Sequence, residues 1–254
     1  MVVALVLALV AVPRLRGAET VTGAPQDRPG PVVLVPGYGG GTDALDVLAT
    51  RLRAAGREAV VVALPGDGTG DMRAQAEAVD AVVRTSLDAG APSVDIVGFS
   101  AGGVVARLWL DEHDGERKAR RIVTLGSPHH GAGFAALAAR LAPESCPPAC
   151  RQLVPDSDLL RDLGRGDETP DGPRWVSIWT ALDEVVTPPE SAQLDGAVDV
   201  RLQSVCSDAA TAHGALPTDP LVQGIVLRAL DSAPLESAPA AGACSELRAL
   251  GTGS

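Results

Sequence analysis

The sequence predicts an α/β domain: one doubly wound, mostly parallel sheet of about six strands, with helices on both faces. Three observations carry this. The candidate strands are continuous apolar runs and not alternating ones, which suits strands buried on both faces. They alternate with segments of helical period, as right-handed β-α-β crossovers require. Gly- and Pro-rich stretches mark the joins.

The elements follow in chain order. Pro31–Val35 is a β-branched run and the first strand. Ala44–Ala55 has Leu45, Leu48 and Leu52 at helical spacing. Ala59–Leu64 is the second strand, and Met72–Leu87 a helix with Ala76, Val79, Val83 and Leu87 on one side. Val94–Phe99 is a strand followed by a helix over Ala101–Leu110. Arg121–Leu125, Arg174–Thr180 and Val198–Val205 are the remaining strands, and Pro220–Leu230 is the closing helix. Residues 131–172 break the rhythm with two cysteines, many Pro, Asp and Gly residues and one short amphipathic segment, Phe134–Leu141. There Phe134, Leu137, Ala138 and Leu141 share a face, as a lid or as a helix packed on the sheet. Insertions of this length between strands usually serve function.

The ends read differently. Val2–Val12 is an apolar run of eleven, too short for a membrane span of about 20 residues but of the length of a signal-peptide core. Arg14 and Arg16 follow the run instead of preceding it, so the leader is atypical and a membrane-anchored form is an alternative. Residues 1–18 are thus expected to be a leader, 19–30 a linker, 31–231 the folded domain, and 232–254 an Ala/Pro/Ser-rich tail. The four cysteines support export, because an even count in an exported chain suggests disulfides. Three connectivities are possible; Cys146–Cys150 with Cys206–Cys244 is favoured, the second tethering the tail. A zinc site is the poorer reading, since one C-x3-C without a nearby histidine is a weak ligand set.

Composition narrows the function. The chain has 254 residues, 46% hydrophobic and 21% charged, with a formal charge of −11. That balance argues for a globular domain and against nucleic-acid binding, which needs clustered cations. Aromatic residues are only 2%, which argues against stacking platforms for bases or sugars. A monomer without metal or cofactor is expected.

In parallel sheets the active site lies beyond the carboxyl ends of the strands. After the third strand stands Gly98-Phe99-Ser100-Ala101-Gly102-Gly103, a G-x-S-x-G pattern in strand–turn–helix context. Gly98 and Gly102 leave room for a strained turn that lifts the Ser100 hydroxyl above the sheet. A serine needs a base, and the base needs an acid to hold its tautomer. Asp183 follows the Arg174–Thr180 strand, and His213 follows the Val198–Val205 strand, in the order Ser, Asp, His. Glu184 is the next candidate acid; Asp195, Asp199 and Asp208 read as surface charges. His113 lies in a charged run and reads as solvated, while His129 and His130 precede the acid. An oxyanion needs two fixed N–H donors, here the backbone of Ala101 and of Tyr38, the latter in Pro36-Gly37-Tyr38-Gly39-Gly40 after the first strand. That loop lacks the Lys-Ser/Thr of a phosphate-binding loop.

Taken together with Val123-Thr124-Leu125-Gly126-Ser127-Pro128-His129-His130-Gly131, Asp183–Pro188 and His213-Gly214, these motifs resemble the α/β-hydrolase superfamily. The likeness is specifically to small secreted bacterial lipases and esterases of the actinobacterial type, over about Pro31 to Leu230. The resemblance implies a minimal hydrolase fold, a Ser100–Asp183–His213 triad, and hydrolysis of acyl esters or lipids, at a lipid–water interface if the insertion is a lid. Pro36 departs from the family, where many relatives carry His. The alternatives are an acyltransferase using the same triad and a non-catalytic hydrolase-fold binding protein.

Overall fold

The computed structural model describes residues 23–254. The expected leader lies outside the described residues. Six strands form one sheet in the order β2-β1-β3-β4-β5-β6, all parallel. They are β1 Val32–Val35, β2 Ala59–Val61, β3 Val94–Phe99, β4 Ala119–Leu125, β5 Arg174–Trp179 and β6 Val198–Arg201. The helices are α1 Asp43–Ala54, α2 Met72–Asp88, α3 Ala101–Glu112, α4 Gly133–Leu141, α5 Pro148–Gln152, α6 Asp158–Leu163, α7 Leu202–Val205, α8 Pro220–Ala229 and α9 Cys244–Thr252.

Two cores sandwich the sheet. Val32 and Leu34 of β1 face one, with Leu45, Leu48 and Leu52 of α1 and Val222 and Ile225 of α8. Val33 and Val35 face the other, with Met72, Ala76 and Val79 of α2 and Val104, Val105 and Leu108 of α3. Successive residues of β1 thus serve opposite cores, so each of its four positions is apolar.

The amino edge of the sheet is closed by charge. Asp95 and Arg120 are fully buried, with Arg120 Nε 3.0 Å from Asp95 Oδ1 and Arg120 Nη2 2.6 Å from Asp95 Oδ2. Arg57 adds a third group, 2.7 Å from Asp95 Oδ2, and both arginines also donate to Leu230 O after α8. The described part of the expected linker docks here as well. Gln26 O accepts from Arg120, Ser93 Oγ donates to Arg28 O, and Ala24 is buried.

Three readings change. The strand expected over Val198–Val205 ends at Arg201, and α7 takes the rest. The reason is the end of its partner: β5 stops at Trp179, paired with Arg201, so later backbone groups have no ladder. A helical turn satisfies them, with Cys206 N–H on Leu202 O. The insertion holds three helices, not one. Of these α5 docks on α2, where Gln152 Oε1 accepts the Met72 N–H at 2.9 Å. The expected tail carries α9, which packs on α8 so closely that a Cβ on Gly224 would stand 2.0 Å from Leu247 O.

Both disulfides have the favoured pairing, Cys146–Cys150 and Cys206–Cys244. All four sulfurs are therefore engaged. No helix of the described residues is long and apolar enough to cross a membrane.

Candidate active site

Ser100 sits between β3 and α3 at φ 52°, a left-handed conformation that non-glycine residues rarely adopt. Its neighbours explain how it is held. A Cβ on Gly98 would stand 2.5 Å from Gly103 Cα, and one on Gly102 would stand 2.2 Å from Val35 O. Only glycine lets the helix start this close to β1 and β3. Ser100 N–H donates to Leu125 O of β4 at 2.8 Å, which fixes the turn to the next strand.

Three sequence-selected residues meet at the carboxyl end of the sheet. His213 Nε2 lies 3.0 Å from Ser100 Oγ, and His213 Nδ1 lies 2.7 Å from Asp183 Oδ2. The carboxylate can only accept, so Nδ1 carries the proton and Nε2 presents its lone pair to the serine hydroxyl. Asp183 is itself held: its Oδ1 accepts Val185 N–H at 2.9 Å and Val186 N–H at 2.7 Å. The Asp183 and His213 side chains are 2% and 7% exposed, so this bond is shielded from water. Phe99 flanks the imidazole with ring centroids 5.3 Å apart.

Glu184, the second candidate acid, does not reach the ring. Its Oε2 accepts the backbone N–H of His213 at 3.4 Å. Gln203 of α7 supports the acid loop unforeseen: its Oε1 accepts Ala181 N–H, and its Nε2 donates to Thr180 Oγ1. No sequence signal marked Gln203, because α7 read as strand.

The remaining histidines are elsewhere. His129 is buried and bonded through Nε2 to Thr124 Oγ1 at 3.2 Å; burial, with Arg107 and His130 nearby, depresses its basicity well below the ordinary 6.5. His130 pairs with Glu168 at 3.0 Å. His113 is not solvated as expected. Its side chain is only 14% exposed, because α3 extends to Glu112 and brings it against Asp80 and Glu77 of α2.

A cavity of about 370 Å³ opens beside Ser100. Tyr38 and Gly37 wall it from the β1 loop, Phe134 and Leu153 from the insertion, and Val185 and Val186 from the acid loop. A Cβ on Gly37 would stand 3.0 Å from Ser100 Cβ, so this loop passes directly over the serine. Ala101 opens α3 as the next residue. Burial and the charge of Asp67 raise the Tyr38 phenol above its usual range. On α4, Phe134, Leu137 and Leu141 are exposed while Ala135 is buried, so the apolar face reaches solvent beside the cavity mouth.

Comparisons with known proteins agree with this architecture. Lipase B of Aspergillus fumigatus is 19% identical with a TM-score of 0.67, over 82% of this chain and 53% of that one, so this chain spans about half the length of the fungal lipase. The mature form of Bacillus licheniformis lipase BlEst2 is 20% identical with a TM-score of 0.57, over 67% of this chain and 81% of that one. MGS-MChE2, an α/β-hydrolase enzyme from the metagenome of lagoon sediments at Mar Chica, Morocco, is 18% identical with a TM-score of 0.55, over 79% and 89%. These likenesses establish the fold. No curated protein matches the sequence. Residues 31–158, half of the chain, match the family described as palmitoyl protein thioesterase. This chain, with an open parallel sheet and a serine between β3 and α3, belongs to the palmitoyl protein thioesterase family of the α/β-hydrolase superfamily.

Proposed function

We propose that this protein is an exported serine hydrolase that cleaves acyl esters, lipid esters included, through an acyl-enzyme. The observation that carries the reading is the unbroken chain Ser100–His213–Asp183, at 3.0 Å and 2.7 Å, beside an apolar cavity. Ser100 Oγ attacks the acyl carbonyl while His213 Nε2 takes its proton. Asp183 keeps the imidazole in the Nδ1–H form and stabilises the imidazolium. The backbone N–H groups of Tyr38 and Ala101 hold the oxyanion. His213 then protonates the leaving group, and a water molecule, activated by the same base, releases the acid.

The cavity wall of Leu, Val and Phe side chains suits an aliphatic acyl chain. The family description adds acyl thioesters to the substrate class, by the same steps with a thiolate leaving. The exposed face of α4 suits a lid that meets a lipid surface. Export is supported by the two disulfides. An acyltransferase would share the acyl-enzyme and differ only in the acceptor, so product analysis with added alcohol separates the two.

Mass spectrometry after fluorophosphonate treatment should place the adduct on Ser100. A series of esters and thioesters from acetyl to palmitoyl, with Ser100→Ala as blank, then reads substrate preference. An adduct elsewhere, or full activity in Ser100→Ala, would overturn the assignment. Absence of turnover on every substrate would favour a binding protein.

A further inference from the structure

Where β4 leaves the sheet, the dipeptide Leu125–Gly126 touches the elements that carry all three triad residues. Leu125 O accepts the Ser100 N–H, and Gly126 N–H donates to Ile178 O of β5, both at 2.8 Å. Gly126 itself has φ 55°, a left-handed turn. The turn brings its α-carbon against the Asp183–His213 pair. A Cβ at this position would stand 3.2 Å from Asp183 Oδ2, 3.2 Å from His213 Nδ1 and 2.6 Å from Leu216 Cδ1. The first two atoms are the partners of the 2.7 Å hydrogen bond.

We propose that Gly126 is a positioning residue, its bare α-carbon forming the seat against which the Asp183–His213 hydrogen bond is held. This rests on the triad reading above. Both polar atoms of the peptide that precedes the α-carbon are committed, Leu125 O to the serine turn and Gly126 N–H to β5. The backbone therefore cannot retreat from an added methyl without moving the nucleophile or the strand that leads to the acid. The methyl would instead push Asp183 and His213 out of line. Catalytic geometry is unforgiving of such shifts, since a misplacement of about 1 Å can cost about 100-fold. A glycine needed only for its φ would behave otherwise: asparagine tolerates the left-handed region and would serve.

The test uses Gly126→Ala, Gly126→Asn and the pair Gly126→Ala/Leu216→Ala, which removes the nearest obstacle and keeps the protein testable if the single variant does not fold. Leu216→Ala is the reference for the pair. Two readouts are needed: the rate of fluorophosphonate labelling of Ser100, and the low-field proton resonance of His213 Nδ1–H. The expected result is folded protein with labelling and kcat down at least about tenfold relative to the reference, KM within about twofold, and the low-field resonance shifted or lost. Gly126→Asn should be no better than Gly126→Ala. Labelling of the paired variant within about twofold of its reference, or rescue by Asn, overturns the proposal. If wild-type Ser100 is not labelled at all, the triad reading fails, and the resonance still judges Gly126: an unchanged low-field proton in the glycine variants overturns the seat.

Discussion

Replacing Asp183 with Asn tests how the acid works, because the surroundings decide which way the amide turns. Asp183 Oδ1 accepts from Val185 and Val186, and Oδ2 accepts from His213 Nδ1. An Asn side chain has one acceptor oxygen and one NH2. If the oxygen faces His213, the NH2 meets two backbone donors, and two N–H groups are left unsatisfied at about 1–3 kcal/mol each. If the oxygen faces Val185 and Val186, the NH2 donates to Nδ1 and forces the proton onto Nε2, where it confronts the serine hydroxyl and cannot act as base. The second orientation therefore wins by roughly 2–6 kcal/mol, and recovering the working tautomer costs that much of the barrier. At about 1.36 kcal/mol per decade, kcat should fall by roughly 30-fold to 10⁴-fold with KM little changed. The assay is steady-state hydrolysis of p-nitrophenyl butyrate, normalised to sites titrated with fluorophosphonate. Glu184→Gln is the companion: it touches only the His213 backbone N–H, so its loss should stay within about tenfold. A kcat for Asp183→Asn within about fivefold of wild type, or a larger loss in Glu184→Gln, would refute the reasoning.

Other outcomes follow from the same structure. Leu137 and Leu141 are 59% and 75% exposed, so Leu137→Asp/Leu141→Asp should leave hydrolysis of a dissolved butyrate ester within about twofold but cut hydrolysis of emulsified triacylglycerol at least about tenfold; equal rates in both assays would remove the lid role. His130 is raised above its ordinary 6.5, first by its hydrogen bond to Glu168, and Glu168 is pulled down to about 2 from its ordinary 4.5, first by the same bond. The stabilisation is therefore full between those ordinary values. It is lost as pH rises through the raised histidine value or falls towards about 2. As His130 is half exposed, His130→Gln should lower Tm by no more than about 4 °C near pH 6 and by less at pH 9, while an equal loss at both would deny the pairing. Asp95→Asn leaves Arg120 fully buried without its counter-charge and should cost about 3–5 kcal/mol in urea unfolding; a loss under about 1 kcal/mol would mean the guanidinium is satisfied by carbonyls alone. Thiol counting on the oxidised protein should find none, and four titratable thiols would overturn both disulfides.

Much of this site was legible because its parts are local. G-x-S-x-G marks a turn whose glycines are demanded by contacts of 2.5 Å and 2.2 Å, and those demands appear as letters. Asp183 and His213 were found by looking just past strand ends, where a parallel sheet gathers its loops. The elements that failed were those decided by distant partners. Leu202–Val205 has an apolar pattern that serves strand or helical turn equally, and the end of β5 chose the turn. His113 looked solvated among charges, yet α3 carries it against α2. The Ala-rich stretch after Ser232 showed no strong period, and α9 owes its place to close packing on Gly224 and Gly251.

The order of the six strands and of the main helices between them, then, comes from the chain alone, since unbroken apolar runs can be satisfied only between two layers of helix, whereas α5, α6, α7 and α9 did not show in it. So does the identity of the candidate triad, because chain order and strand ends leave few choices. What needed the folded molecule is whatever depends on convergence through space. The two N–H groups that orient Asp183, the support from Gln203, and the solvent-facing side of α4 are of this kind. So is the role proposed for Gly126, a residue whose letter said turn and whose α-carbon stands against the Asp183–His213 pair. Backbone periodicity is written locally, whereas a hydrogen bond between residues 113 positions apart exists only once the sheet has brought them to the same edge.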